Sequence, residues 1–105
     1  MGVQLNEDRF YHFTFTNSFA SVAANTTAEQ TVAIPGLKSG DSCLTVNKVT
    51  PQAGLGIVNQ RVSANNTLAV QFSNNTGSPI VPTAGDTYSC SIVRPEKTYR
   101  ASVPI

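Results

Sequence analysis

Apolar residues in this chain recur at every second position, in short runs that turn residues keep interrupting. The clearest run, residues 67–72, reads TLAVQF: Leu68, Val70 and Phe72 fall on one parity, Thr67, Ala69 and Gln71 on the other. A period of two puts alternate side chains on opposite faces of a strand, and a strand with one apolar face needs a second layer to cover it. A helix would require a period near 3.6, and no segment shows it convincingly. This alternation confines the chain to layered β architectures.

Other runs repeat the pattern. In residues 10–15, Tyr11, Phe13 and Phe15 share a face, with His12, Thr14 and Thr16 opposite. Residues 29–34 (EQTVAI) form a short strand stopped by Pro35-Gly36, a strong turn dipeptide. Residues 42–49 (SCLTVNKV) place Leu44 and Val46 on one face and end before Pro51, which has no amide hydrogen for a ladder. Residues 53–58 (AGLGIV) hold two glycines in a β pattern, which predicts a bulge or a close backbone approach, and the strand continues through 60–63. Ala64-Asn65-Asn66 is a hairpin connection, because Asn tolerates positive φ. Residues 80–82 read as a short edge strand. Residues 87–93 point Tyr88, Cys90 and Ile92 inward and Ser89, Ser91 and Val93 outward. A short helical turn fits only in residues 18–30.

The reading is an all-β domain of six to eight short antiparallel strands, a small single-domain β-sandwich (jelly-roll or Ig-like) or a small barrel. The expected core is Phe13, Phe15, Val32, Ile34, Leu44, Val46, Ile57, Val62, Leu68, Val70, Phe72, Tyr88 and Ile92, each worth roughly 1.5–3 kcal/mol when fully buried. The β domain spans residues 10–93. Residues 1–9 and 94–105 lack a strong period and read as N-terminal and C-terminal arms that order on a partner.

Composition narrows the function. Charged residues are 12% of the chain, while Thr, Ser and Asn number 12, 10 and 9. Seven basic residues against six acidic ones give a net charge of +1 and no basic stripe, which argues against nucleic-acid binding. The start, MGVQLNEDRF, lacks the apolar core of a secretory signal. Asn6 breaks the myristoylation pattern, and no apolar window approaches the length of a membrane helix. The chain therefore reads as made or assembled in a cytosol.

The chemical candidates are few. Cys43 and Cys90 lack CxxC spacing, and with a single histidine, His12, they complete no zinc site; no metal or other cofactor is expected. They read as two reduced, partly buried thiols, with a Cys43–Cys90 disulfide as the alternative. The sequons at Asn25, Asn65 and Asn74 read as turn chemistry. His12 reads as a surface or subunit-contact histidine, since no nucleophile and acid partner accompany it by spacing. Asp41 and Asp86 follow glycines and read as turn caps in preference to a hydrolytic carboxylate pair. Arg61 is expected to pair with Asp41 or Asp86 within the chain, or to reach a neighbouring subunit. No enzyme is expected.

From Gly36 to Val93 the chain resembles short structural proteins of tailed bacteriophages. The residues that carry the likeness are Gly36-Leu37, Gly40-Asp41, Ala53-Gly54-Leu55, Arg61-Val62-Ser63-Ala64, Asn66-Thr67-Leu68, Phe72-Ser73-Asn74-Asn75-Thr76, Pro82 and Tyr88. The resemblance implies a virion structural protein, a capsid decoration (cement) protein on the head surface, assembled in the host bacterial cytoplasm. Its implied partners are the major capsid protein and further copies of itself as a homotrimer, with neither nucleic acid nor membrane. Phe10, Tyr11, His12, Arg94, Tyr99 and Arg100 are the candidate subunit or capsid contacts. The alternative is a tail- or fibre-associated module that binds host-surface glycans, using Tyr11, Tyr99, Asn65, Asn66, Asn74 and Asn75.

Overall fold

The structure, a computed structural model, describes residues 9–95. Six strands carry the fold: β1 (Arg9–Asn17), β2 (Thr26–Ala33), β3 (Ser42–Lys48), β4 (Leu55–Ala64), β5 (Thr67–Asn74) and β6 (Asp86–Arg94). They form two three-stranded antiparallel sheets, β1-β6-β3 (sheet I) and β2-β5-β4 (sheet II). The expected all-β sandwich is therefore present. No helix occurs among the described residues, so the helical turn allowed for residues 18–30 does not form. The second half of that segment is instead the start of β2, which opens at Thr26, three residues before the expected Glu29.

The winding is that of a folded-over double ribbon. β1 pairs with β6 along its whole length, and β2 pairs with β5. Between them the two crossover connections also run side by side, joined by the Val22–Ile80 bridge with hydrogen bonds of 2.8 and 3.0 Å. Nested pairs that wrap from one sheet to the other are the jelly-roll arrangement, here with six strands. Residues 80–82 contribute only this bridge instead of the expected edge strand.

Two glutamines tie down the crossovers, Gln30 from strand β2 and Gln52 from the connection between β3 and β4. Gln30 donates to the Ala20 carbonyl at 2.8 Å and accepts from the Ala20 amide at 2.7 Å. Gln52 does the same for the other crossover, donating to the Val81 carbonyl at 3.0 Å and accepting from the Thr83 amide at 2.9 Å. Each side-chain amide supplies one donor and one acceptor, as a strand backbone would. Asn74, almost fully buried, uses both ends of its amide: it donates to the Val22 and Ser78 carbonyls and accepts from Thr76.

The core lies between the sheets. Leu68, Val70 and Phe72 of β5 meet Tyr88, Cys90 and Ile92 of β6, with Val46 alongside. The crossover residues Phe19 and Val22, together with Leu37, complete it. Phe19 stands edge-on to both Phe72 and Tyr88, with ring centroids 5.0 and 5.2 Å apart, the geometry that aromatic quadrupoles favour. Phe13, Phe15, Val32, Ile34, Ile57 and Val62 pack around this centre as expected.

Leu44 does not join the core; it is 53% exposed. The ladder between β3 and β6 shifts register between Cys43 and Thr45. The extra residue breaks the alternation, so Cys43 and Val46 face inward while Leu44 and Thr45 face solvent. β4 carries a second such shift between Ile57 and Asn59, which exposes Val58 and lets both Ile57 and Val62 face the core although their parities differ. The bulge expected in this strand thus occurs at Val58, two residues beyond Gly56. The close backbone approach occurs too, at Gly54, whose φ is +81° and where a Cβ would collide with Thr76 Cγ2. The hairpin closes at Ala64–Thr67 around Asn65 and Asn66, with Asn66 at φ +60°. Asn25 adopts positive φ in the same way.

Candidate interaction surface

The titratable side chains are arranged to complete the domain's own structure. Asp41 accepts two hydrogen bonds from Arg94, Nε at 2.8 Å and Nη2 at 2.7 Å, and one from the Lys38 amide. Arg94 also donates to the Gly36 carbonyl and lies 5.0 Å from the Tyr11 ring centroid, over its face. The guanidinium holds the Asp41 carboxyl below the usual carboxylate range despite burial. At the other end of β6, burial pushes Asp86 up. Hydrogen bonds from Lys48, the Thr50 hydroxyl and the Thr87 and Thr50 amides outweigh it and hold Asp86 below its ordinary value. Tyr88, buried and near the Asp86 charge, is pushed up to about 12.

Asp41 and Asp86 therefore cap turns, as expected, and each also forms an ion pair. They bracket β6: Asp41 meets Arg94 at one end, and Asp86 stands at the other. Eight residues at about 3.3 Å each set these ends roughly 26 Å apart, so the two carboxylates cannot act on one bond. Arg61 pairs with neither of them. It makes a bidentate pair with Glu29, Nε at 2.9 Å and Nη2 at 2.8 Å. Glu29 is on β2 and Arg61 on β4, and both flank Gln71 and Ala69 of the central β5. The pair forms a strap across the outer face of sheet II, and Ala69 is fully buried beneath it.

The outer face of sheet I is built differently. β6 presents Thr87, Ser89, Ser91 and Val93. On one side these register with Thr16, Thr14, His12 and Phe10 of β1. On the other, Asn47, Thr45 and Ser42 of β3 register with Ser89, Ser91 and Val93. No charged residue stands on this face among the described residues. Seven of its eleven residues carry hydroxyls, and His12 Nδ1 is in hydrogen-bond contact with Ser91 Oγ at 2.9 Å. Toward one end stand Phe10, 74% exposed, Val93 and the bulged Leu44. β1 and β6 are antiparallel with Arg9 opposite Arg94, so residues 1–8 and 96–105 both join the domain at this same end.

Of the six candidate contacts, the structure brings Phe10, Tyr11, His12 and Arg94 together at that end of sheet I. Phe10 and His12 face outward, whereas Tyr11 lies under Arg94, which is itself paired with Asp41. Tyr99 and Arg100 lie outside the described residues. Sequence reasoning placed Val93 outward, as it is found, but missed Leu44 as a surface apolar residue. The bulge that exposes Leu44 could not be read from its own strand. No metal-holding cluster of His, Cys, Asp and Glu occurs among the described residues. No protein-family model matches the chain, and no curated protein or solved structure is significantly similar to it.

Proposed function

We propose that this protein is a capsid decoration protein of a tailed bacteriophage, which binds as a homotrimer between major capsid subunits and stabilises the head shell. The observation that carries the reading is the charge-free outer face of sheet I. Seating a surface on another protein strips its water, which is expensive for an unpaired charge and cheap for hydroxyls that find new partners. Phe10, Val93 and Leu44 supply apolar anchors beside that field, at the end where both arms begin. Of the arms expected at 1–9 and 94–105, Arg9 and Arg94 are the paired ends of β1 and β6, and residues 1–8 and 96–105 lie outside the described residues.

The glycan-binding alternative draws less support, because most of its residues are occupied. Tyr11 lies under Arg94, Asn65 and Asn66 accept hydrogen bonds from the Ser39 and Gly36 amides, and Asn74 is buried.

The test is direct addition. Purified protein mixed with expanded shells that lack it should bind at a fixed number of copies per shell and raise the shell's melting temperature. Absence of binding under all conditions would contradict the proposal.

A further inference from the structure

We infer that Cys43 and Cys90 form a modification site: an oxidisable pair that closes into an intrachain disulfide in the folded protein when it meets a low-molecular-weight disulfide. The two sulfurs lie 3.7 Å apart, on the neighbouring strands β3 and β6 and on the core side of sheet I. They are the chain's only cysteines, so no other thiol of the same chain competes. A disulfide bond is about 2.05 Å long, so the sulfurs must approach by roughly 1.7 Å. β3 is where sheet I yields most readily, because it is an edge strand whose ladder is already irregular between Cys43 and Thr45.

The two thiols have different roles in the closure. Cys90 is buried, while Cys43 is only partly so. The contact between the two sulfurs, in which the Cys90 thiol can donate to a Cys43 thiolate, holds Cys43 below the ordinary thiol range; the same contact, with burial, pushes Cys90 up. Cys43 is therefore the attacking thiolate. It attacks one sulfur of a small disulfide such as oxidised glutathione, the disulfide bond breaks, and one glutathione thiolate leaves with the electron pair. Cys90 then gives its proton to solvent and attacks Cys43 Sγ, expelling the second glutathione thiolate. The protein loses two protons and two electrons, and one oxidised glutathione becomes two reduced ones. The product ties β3 to the central strand of its sheet across 47 positions of sequence.

The chemistry does not rest on the decoration reading; only its timing does. A virion protein assembled in a reducing cytoplasm would carry free thiols there and close the bond after release into an oxidising medium.

The experiment uses the native, full-length protein with oxidised glutathione at mildly alkaline pH, followed by intact mass and thermal melting. The expected product is a monomer lighter by two hydrogens, with no thiol titratable after denaturation. Its melting temperature should be raised by about 10 °C, and a reducing agent should reverse the change. Cys43→Ser should abolish both the mass change and the rise in melting temperature; the wild-type mass stands without the variant. Both thiols remaining free in the native protein, arrest at a glutathione adduct, or cross-linking into dimers would each overturn the inference.

Discussion

The two outer faces of the sandwich solve the same problem in different ways. On sheet II the small Ala69 of the central strand is sealed by the Glu29–Arg61 strap that reaches over it from both edges. On sheet I the central strand shows Ser89 and Ser91, partly exposed, flanked by Thr14, Asn47, His12 and Thr45, with no Asp, Glu, Lys or Arg beside them. Sheet II carries its own cover, so its outer surface is finished. Sheet I has its ion pairs at the two ends of β6, Asp86–Lys48 and Asp41–Arg94, and leaves the field between them open. The difference suggests that sheet I is the face a partner completes.

The sharpest way to break this comparison is to place the same charge on each face. Ser91→Lys, at the centre of sheet I, should weaken binding to shells at least about 100-fold, roughly 3 kcal/mol, because an unpaired ammonium would be buried in the contact. Gln71→Lys, its counterpart on sheet II, should change binding less than about twofold. Equal losses would remove the distinction between the faces. A second test exchanges size for charge. Ala69→Leu should lift the strap and destabilise the isolated protein by about 1–3 kcal/mol in denaturant unfolding, as overpacking does. Ser89→Leu on the open face should lie within about 0.5 kcal/mol of the parent.

The smallest effect concerns the ends of sheet I. The Asp41 and Asp86 carboxyls sit below their ordinary values in the fold. Their stabilisation is thus fully present above the unfolded aspartate value of about 3.9 and is lost as pH falls through the depressed folded values. Thermal melting should therefore show a decline in stability below about pH 4. Asp41→Asn should lower the melting temperature at neutral pH and flatten that decline. An unchanged acid limb in the variant would mean that the Asp41–Arg94 pair is not part of it.

How far the sequence reveals this molecule depends on the scale of the order involved. β5 and β6 are legible because each alternates without interruption, and their inward residues, Leu68 to Ile92, form the centre of the core. Leu44 was misplaced because a bulge is one extra residue in a ladder, and its position depends on the partner strand, not on its own side chain. Phe19, Val22 and Leu37 lie in connections with no period, so nothing local marks them as buried; the folded-over ribbon brings them in. Arg61 was assigned to Asp41 or Asp86, although Glu29 stands at an outward position of β2. Only the order β2-β5-β4 sets those two residues across one strand. The open face was likewise hidden, since its three rows of residues come from both ends and the middle of the chain.

The central claim is that the outer face of sheet I meets the shell, and side-chain oxidation footprinting by hydroxyl radicals tests it most directly. Four exposed apolar residues serve as reporters: Phe10 and Leu44 beside that face, and Val58 and Val81 away from it, all 53–74% exposed in the free domain. On binding to shells, Phe10 and Leu44 should become protected while Val58 and Val81 stay as reactive as before. Protection of Val58 and Val81 with Phe10 and Leu44 still reactive, or no difference between the two pairs, would contradict the account.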